Sequence, residues 1–366
     1  MSRIAVILLI LCLFPWAAVS EVESVYTLVD EEGHELTDIN HQPSAGDEYI
    51  ASDNQHYRVT QVDEKSKKAV MELVGAYAMP DVSWLDEAAA LQVSAALGDK
   101  KIAMYCTHSD ESYVPTDGTE SDEQRGGIYD VAGELADQLQ SKGVKVTLDT
   151  TTHNPHDAGA YRRSRQTAVK LLKAAPDAIF DVHRDGIPDP DQYTLTMGGE
   201  KMSKVRLLVG KGNQNASANK AFATQLKAVA DKVYPGLIKD IYMGKGAYNQ
   251  DLYPRSVLLE MGTHTVSKER VINAADPLAD VIYRTLYGGV TGAAGASDAA
   301  GTAPSQTAEE SNAGAGTGIG WVLGVLAVGG GIFALLSTGS FKGAGEKMKR
   351  TASEVTGGLL GKRPKK

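Results

Sequence analysis

The amino-acid sequence predicts an α/β fold in which a mostly parallel or mixed sheet is covered by helices, preceded by a small β-rich region and followed by one transmembrane helix. Three observations support this fold class. Strand-like and helix-like segments alternate from Lys101 onward, which is typical of a sheet covered on both faces. Short β-prone runs with turn residues between them come earlier in the chain, and one long apolar segment lies near the C-terminus.

Residues 1–20 have the pattern of a secretory signal peptide. A charged start at Arg3 leads into the apolar stretch Ile4–Phe14, and small residues follow up to Ser20. This order is typical of a signal that is cleaved during export. We therefore expect the rest of the chain to be exported, with Glu21 as its first mature residue.

Residues 21–98 are predicted to form a small β-rich region and a connector. Strand-like runs occur at Tyr26–Asp30, Gly46–Ile50 and His56–Val62, and turn-forming residues such as Glu31–Gly33 lie between them. The Ala-rich segment Asp81–Gly98 is expected to be helical or irregular. No catalytic motif is apparent in this region.

Residues 99–287 carry the alternation of strands and helices and are predicted to be the catalytic domain. Strands are expected at Ile102–Cys106, Val144–Leu148, Ala178–Val182, Val205–Gly210 and Ser256–Glu260. Helices are expected at Gly126–Gly143, Tyr161–Ala174, Phe222–Val233 and Ser267–Leu286, with Pro277 at a break or a start. In open sheets of this kind, functional sites lie beyond the carboxyl ends of the strands.

The C-terminal segments predict attachment to a membrane. Residues 288–318 are rich in Gly, Ala, Ser and Thr, which is typical of a flexible linker. Residues 319–338 are uncharged and apolar over a length that can span a bilayer. Residues 339–366 form a basic tail, which the positive-inside rule places in the cytoplasm. We therefore expect a single-pass protein of the cell membrane with its catalytic domain outside.

The charge of the chain argues against one class of partner. The formal net charge is −9 even though the C-terminal tail is basic, so the rest of the chain is distinctly acidic. An acidic surface does not match the phosphate backbone of nucleic acids. We therefore expect no nucleic-acid partner.

Polar residues that can bind a metal or transfer protons cluster at the ends of three predicted strands. They are His108 and Glu111 after the first strand, Asp181, His183, Arg184 and Asp185 around the end of another, and Glu260 and His264 at the end of a third. If the strands are parallel, these clusters meet at one edge of the sheet. Two histidines and one carboxylate with an open position make a catalytic zinc site, and a further carboxylate beside it can transfer the proton of a water.

The individual residues allow other interpretations. Asp181 and Asp185 could orient His183 or belong to ordinary turns, and Arg184 could bind a substrate carboxylate or pair with a neighbouring Asp. Glu260 stands out because a carboxylate at the end of an apolar strand should be buried or line a cleft. Taken together, the three clusters predict a zinc centre.

These clusters resemble the stage II sporulation protein P family of endospore-forming bacteria. The matching segments are Tyr105–Tyr113, Asp181–Asp185 and Leu258–Gly262 with its continuation Thr263–Glu269, in this order along the chain. The resemblance covers about Lys101–Leu286, and the predicted signal peptide, linker and C-terminal span also look like that family.

The resemblance implies an amidase-like fold and a zinc-dependent N-acetylmuramoyl-L-alanine amidase. Such an enzyme hydrolyses the amide between N-acetylmuramic acid and L-alanine in peptidoglycan. The resemblance also allows endopeptidase activity on peptide cross-links. It implies a role in septal wall thinning and engulfment during sporulation, together with the stage II sporulation proteins D and M.

The resemblance also assigns roles to individual residues. His108 and His183 match the two histidine ligands, and Glu260 matches the catalytic carboxylate. Glu111 is our choice for the third ligand, although in the wider amidase family the ligand opens the following helix, where this chain has Glu123. His264 has no place in the family pattern, and we expect it to be a cleft residue.

The sequence leaves two other functions open. One is a non-catalytic, amidase-like module that binds the wall or recruits partners, although the intact His108, His183 and Glu260 count against it. The other is a zinc hydrolase that acts on a different amide, such as a carboxypeptidase.

Overall fold

The computed structural model describes residues 24–86, 99–157 and 159–288. The strands β1 to β13 are Tyr26–Val29, Glu35–Ile39, Glu48–Ile50, Gln55–Asp63, Lys68–Ala76, Lys101–Tyr105, Lys145–Leu148, Ala178–Asp185, Thr194–Met197, Glu200–Ser203, Val205–Gly210, Ile238–Gly244 and Ser256–Thr263. The helices α1 to α6 are Val114–Asp117, Ile128–Ser141, Ala160–Leu172, Ala216–Val233, Lys268–Asn273 and Ala275–Tyr287. Short 3₁₀ turns lie at Pro190–Gln192 and Gln250–Leu252.

A single mixed sheet of 11 strands organises the described part of the chain. Its order is β2-β1-β5-β4-β3-β12-β11-β13-β8-β6-β7, and β9 and β10 form a separate two-stranded sheet. Strands β13, β8, β6 and β7 are parallel neighbours, whereas β11 and β12 run antiparallel to β13. The predicted α/β class with a mixed sheet is confirmed, and the three strands that precede the polar clusters are parallel to one another.

Apolar side chains cover both faces of this sheet, as expected for buried strands. On one face, the apolar stripe of α2 packs with α4 and α6 against the central strands; its buried members are Ile128, Val131, Leu135 and Leu139. On the other face, Ala168 and Leu171 of α3 pack against β6 and β8. The N-terminal strands cover the remainder of that second face.

The N-terminal β-rich region is part of the main sheet. Its strand β3 pairs antiparallel with β12, with Tyr49 opposite Tyr242. Tyr26, Leu28 and Ile39 of the N-terminal strands share a buried cluster with Leu258 of β13. The predicted strands of this region are found, and two further ones, β2 and β5, complete it. Strand β12, which pairs with β3 of this region and with β11, was not predicted.

The C-terminal helical segment differs from the prediction in one detail. The predicted helix Ser267–Leu286 is divided into α5 and α6, and the division falls at Ala274. Pro277 lies in the first turn of α6, where its missing N–H removes no helical hydrogen bond. Pro277 therefore lies at the start of a helix, one of the two places expected for it.

Several predicted segments lie outside the described residues. These are the signal peptide, most of the connector Asp81–Gly98, the linker at 288–318 apart from Gly288, the transmembrane segment 319–338 and the basic tail 339–366. Among residues 24–86, 99–157 and 159–288, no helix combines the length and the apolar character that crossing a membrane requires.

Candidate metal centre

The site is assembled where β6, β8 and β13 end at the same edge of the sheet. His108 and Glu111 belong to the loop that leaves β6, and His183 lies near the end of β8. Glu260 lies directly opposite His183 in the pairing of β13 with β8. The parallel arrangement of these strands therefore brings the predicted residues together.

Three side chains form a compact cluster that could hold a metal ion. Oε1 of Glu111 lies 3.2 Å from Nδ1 of His108 and 3.2 Å from Nδ1 of His183. One potential ligand atom from each residue lies within 4.8 Å of the others. The predicted ligands His108, Glu111 and His183 are therefore the three residues that meet at this point.

The donor set and its spacing fit zinc. Zinc binds histidine nitrogens and carboxylate oxygens at about 2.0–2.2 Å in a tetrahedral arrangement, so two such ligand atoms lie about 3.3–3.6 Å apart. The separations of 3.2 Å from Glu111 are close to that spacing. In addition, Nε2 of both His108 and His183 is buried without a hydrogen-bond partner in the described structure.

Neighbouring groups fix the orientation of two of these side chains. The backbone N–H of Arg184 donates to Oε2 of Glu111 at 2.9 Å, which leaves Oε1 directed at the two histidines. On the far side of the His183 ring, Nε2 lies 3.1 Å from Oδ1 of Asp181, within ion-pair distance but outside hydrogen-bond geometry. A carboxylate beside the second nitrogen of a ligand histidine is a common feature of metal sites.

The electrostatics of the cluster favour a positive charge at its centre. Burial alone would raise the pKa of Glu111, but His183, His108 and Arg184 outweigh it and hold that pKa well below the usual range. Burial would lower the pKa of His183, but Asp181 and Glu111 hold it well above the usual range. A bound cation would supply the same charge, and metal binding displaces protons from such ligands.

Glu260 differs from Glu111 in its surroundings. Burial, together with the charges of Asp185 and Glu111, raises the pKa of Glu260 well above its usual range. Its Oε2 is buried and has no hydrogen-bond partner among the described residues. Two carboxyl groups whose environments move their pKa values in opposite directions are typical of a site that separates metal binding from proton transfer.

Asp185 links this site to a buried ion pair. Its Oδ2 accepts hydrogen bonds from the Tyr193 hydroxyl at 2.7 Å and from Nη1 of Arg206 at 2.8 Å. Arg206 also contacts Asp240 through Nε at 2.7 Å. Asp185 is therefore held in place by two donors.

The cluster opens into a cavity of about 710 Å³. Rings line it beside the ligands: His156 stacks on His108 with ring centroids 3.8 Å apart, and Tyr161 lies edge-on to His108 at 5.6 Å. Glu260 lines the same cavity. A cleft of this size is typical of sites that bind small molecules or segments of polymers.

The remaining predicted residues are not members of the ligand cluster, although the backbone of Arg184 contacts Glu111. The guanidinium of Arg184 donates to the backbone oxygens of Ser112 and Glu120, so much of its donor capacity serves the loop that carries Glu111. Glu123 is exposed and lies outside the cluster. His264 is not among the residues that line the cavity, contrary to our expectation.

Sequence reasoning missed several residues of the site. His156, Tyr161 and His41 line the cavity but come from segments for which we predicted no role. The segment His153–His156 carried a signal, since two histidines follow a predicted strand. Of these two, His153 is structural: its nitrogens contact the Cys106 carbonyl and the Thr167 hydroxyl.

A sequence model of the family described as Stage II sporulation protein P matches residues 18–283, more than two thirds of the chain. The chain belongs to the stage II sporulation protein P family. This family member is 31% identical over 210 residues to stage II sporulation protein P of Bacillus subtilis (strain 168), and the match covers 52% of each protein. The chain therefore spans about half the length of the curated relative it matches.

This stage II sporulation protein P family member is also similar to solved structures of amidases. N-acetylmuramoyl-L-alanine amidase AmiC2 of Nostoc punctiforme has 14% identity and a TM-score of 0.36, covering 52% of this chain and 98% of that one. Ami1 from Mycobacterium abscessus has 17% identity and a TM-score of 0.35, and the match covers 52% of this chain and 100% of that one. An N-acetylmuramoyl-L-alanine amidase from Clostridium difficile 630 has 15% identity and a TM-score of 0.35, and the match covers 56% of this chain and 100% of that one. At these values the similarity does not by itself define an activity.

Proposed function

We propose that this protein is a zinc-dependent peptidoglycan hydrolase that cleaves the amide between N-acetylmuramic acid and L-alanine. The observation that carries the proposal is the cluster of His108, Glu111 and His183 beside the partly buried Glu260, in one cavity. Membership of the stage II sporulation protein P family supports it. Endopeptidase activity on peptide cross-links would use the same site.

In this proposal His108, Glu111 and His183 hold the metal. A bound zinc would act as a Lewis acid that acidifies a water and polarises the scissile carbonyl. Glu260, which the cavity exposes beside the ligands, accepts the proton of the attacking water and passes it to the leaving amine. The raised pKa of Glu260 favours the protonated form that this carboxyl takes between the two transfers.

The two carboxylates, Glu111 and Glu260, differ in the contacts that their oxygens make. Glu111 is committed through Oε2 to the Arg184 backbone and through Oε1 to the two histidines. No hydrogen bond from a described residue reaches Oε2 of Glu260. The first group is therefore suited to holding a cation, and the second to exchanging a proton with substrate.

We also propose that the protein acts on the wall outside the cytoplasmic membrane. Support comes from the sequence: a signal-like start, an apolar segment at 319–338 and a basic tail at 339–366. In this arrangement peptidoglycan is the amide-rich polymer within reach of the tethered domain. A role in septal wall thinning and engulfment during sporulation, with the stage II sporulation proteins D and M as partners, is proposed on family membership alone.

The proposal is tested by digesting purified peptidoglycan with the full-length protein, with and without a chelator. Released products are identified by mass spectrometry, and His108→Ala and Glu260→Gln are compared with the wild type. We expect free stem peptides from the wild type, and their loss on chelation and in both variants. We expect His108→Ala to lose zinc and Glu260→Gln to retain it.

Other outcomes would point to a different function. Disaccharide-linked stems released from cross-linked dimers would show that the site is an endopeptidase. Release of single terminal residues would indicate a carboxypeptidase. If the zinc-loaded protein binds peptidoglycan tightly and releases no product, the proposed enzymatic activity is contradicted. That result would favour the non-catalytic wall-binding module.

A further inference from the structure

The N-terminal strands form one wall of the cavity that contains the candidate metal centre. Tyr26, Ile39, Asn40, His41 and Gln42 line the cavity from this side. The metal cluster and the Glu260 carboxylate lie on the side formed by the catalytic strands. The region at 24–76, in which the sequence showed no chemistry, therefore contributes to the surface that a bound substrate would meet.

This wall is firmly attached to the catalytic strands. Strand β3 pairs with β12, and the Tyr242 hydroxyl donates to Asp47 at 2.8 Å. In the middle of β2, the hydroxyl oxygen of Thr37 accepts a hydrogen bond from Nη2 of Arg206 at 2.7 Å. All of these contacts are buried, so the wall has a fixed position relative to the site.

The loop after β2 is set against the loop that follows β8. Asn40 packs so closely on Gly186 that a side-chain carbon on the glycine would overlap the Asn40 amide. Gly186 directly follows Asp185 at the end of β8, close to His183. This contact fixes the segment that carries the next residue, His41.

His41 is partly buried in this wall and has unused hydrogen-bonding capacity. Its Nε2 is buried and has no hydrogen-bond partner in the described structure. Its ring lies edge-on to Tyr242, with the centroids 5.1 Å apart at 74°. Buried polar groups are nearly always hydrogen-bonded, so an unpaired one that lines a cavity points to a ligand.

The charge state of His41 limits what it can recognise. Burial lowers the pKa of His41 to about 4; the nearby Asp185 raises it and Arg206 lowers it. The ring is therefore neutral at neutral pH, with one nitrogen that donates and one that accepts. A neutral imidazole pairs well with an amide, which also has a donor and an acceptor, and less well with a carboxylate.

We infer that His41 is a substrate-contacting residue, which hydrogen-bonds an amide group of the peptidoglycan bound over the metal centre. This inference rests on the proposed function and adds the N-terminal strands to the substrate-binding surface. The amide can belong to the stem peptide or to an N-acetyl group of the glycan. Both sources share the same chemistry, and the experiment separates them.

The test compares His41→Ala and His41→Gln with the wild type in the full-length, zinc-loaded protein. Substrates are soluble glycan chains that carry stem peptides, and KM and kcat are measured separately. We expect His41→Ala to raise KM about three- to tenfold, the range for one lost hydrogen bond, with a smaller change in kcat. His41→Gln, which keeps a donor and an acceptor, should recover part of the loss.

A matched control and a binding measurement complete the design. His34→Ala removes an exposed histidine from the turn between β1 and β2 and should leave KM unchanged. Binding of a disaccharide-tetrapeptide and of the free tetrapeptide is measured by calorimetry in a Glu260→Gln background. If His41→Ala lowers the affinity for both ligands equally, the contact is with the stem peptide. If it lowers only the affinity for the disaccharide-tetrapeptide, the contact is with the glycan.

The outcomes that overturn the inference differ from those that overturn the function. An active wild type with an unchanged KM in His41→Ala would refute the role of His41 alone. A raised KM accompanied by lost zinc or a lower melting temperature, without recovery in His41→Gln, would show a structural role instead. A wild type that neither cleaves nor binds peptidoglycan would refute the proposed function, and the inference with it.

Discussion

The imidazole of His183 lies between two carboxylates that act on different nitrogens. Glu111 is 3.2 Å from Nδ1, and Asp181 is 3.1 Å from Nε2. Asp181 is itself held by the backbone N–H and the hydroxyl of Thr107, at 2.8 and 2.6 Å. The position of the ligand ring therefore depends on a residue that would not touch the metal.

We predict that Asp181→Asn weakens zinc affinity by about 10- to 100-fold, because loss of the charged partner leaves the His183 ring less basic and less firmly oriented. The measurement is competition for zinc with a chelator of known affinity. Asp137→Asn, an exposed change on α2, serves as the control and should bind zinc like the wild type. Equal affinities for Asp181→Asn and the wild type would show that Asp181 only anchors the Thr107 loop.

At the scale of single residues, the sequence was informative where chemistry and strand ends coincide. His108, Glu111 and His183 could be grouped because each stands in or beside a predicted strand end. The contacts of Arg184 could not be foreseen. Its guanidinium donates to the backbone oxygens of Ser112 and Glu120, whose positions depend on the conformation of a loop. His41 was missed because its place in the cavity depends on strand pairing far from the site.

At the scale of elements, the start of α2 supports the segment that carries Glu111. The N–H of Ile128 donates to the Glu111 carbonyl at 2.9 Å, and the N–H of Gly126 donates to the Ser109 carbonyl at 3.0 Å. A side-chain carbon on Gly126 would lie within 3.0 Å of backbone atoms of Asp110 and Glu111. Only glycine lets the helix approach the ligand segment this closely.

We predict that Gly126→Ala displaces the Glu111 segment, lowers zinc affinity at least tenfold and destabilises the protein by about 1–3 kcal/mol through overpacking. Gly133→Ala, inside α2, is the matched control, because nothing lies within 4 Å of the added carbon. That control should be neutral or more stable by about 0.5–1 kcal/mol. Zinc competition and urea denaturation measure the two effects, and similar behaviour of both variants would contradict the argument.

The helices and strands that were predicted are those with a clear apolar period. Helix α2 shows its buried stripe in the sequence, and β8 and β13 begin as apolar runs. Both strands extend beyond the predicted ends. Strand β8 continues because the polar residues up to Asp185 are buried, and β13 continues through the buried Met261 and Thr263. Strand β12 was missed because Lys239 and Asp240 interrupt its apolar pattern, although both are buried.

At the scale of the whole molecule, a buried charge network ties the N-terminal strands to β11 and β12. Arg206 of β11 contacts Asp240 of β12 through two nitrogens, at 2.7 and 3.0 Å, and Thr37 of β2 at 2.7 Å. Lys239 also donates to Thr37 and Asp240. Pairing of each charge within this network offsets the cost of burying it.

We predict that Asp240→Asn lowers the free energy of unfolding by about 3 kcal/mol at neutral pH, because it leaves the buried Arg206 and Lys239 with too little compensating charge. Urea denaturation of the purified protein measures the change. Glu72→Gln is the matched control: it breaks a surface pair with Arg58 in which both side chains are more than 40% exposed. It should cost less than about 1 kcal/mol. Equal costs for the two variants would show that the network contributes no more than a surface pair.

The same carboxylate should give stability a defined dependence on pH. Burial would raise the pKa of Asp240, but Arg206 and Lys239 outweigh it and lower that pKa from 3.8 to about 2. A lowered folded-state pKa stabilises the fold above pH 3.8, and this stabilisation is lost as the pH falls through about 2. The difference in unfolding free energy between the wild type and Asp240→Asn should therefore shrink by about 2 kcal/mol between pH 5 and pH 2. A difference that stays constant over this range would mean that Asp240 is not the group whose charge joins the two parts of the sheet.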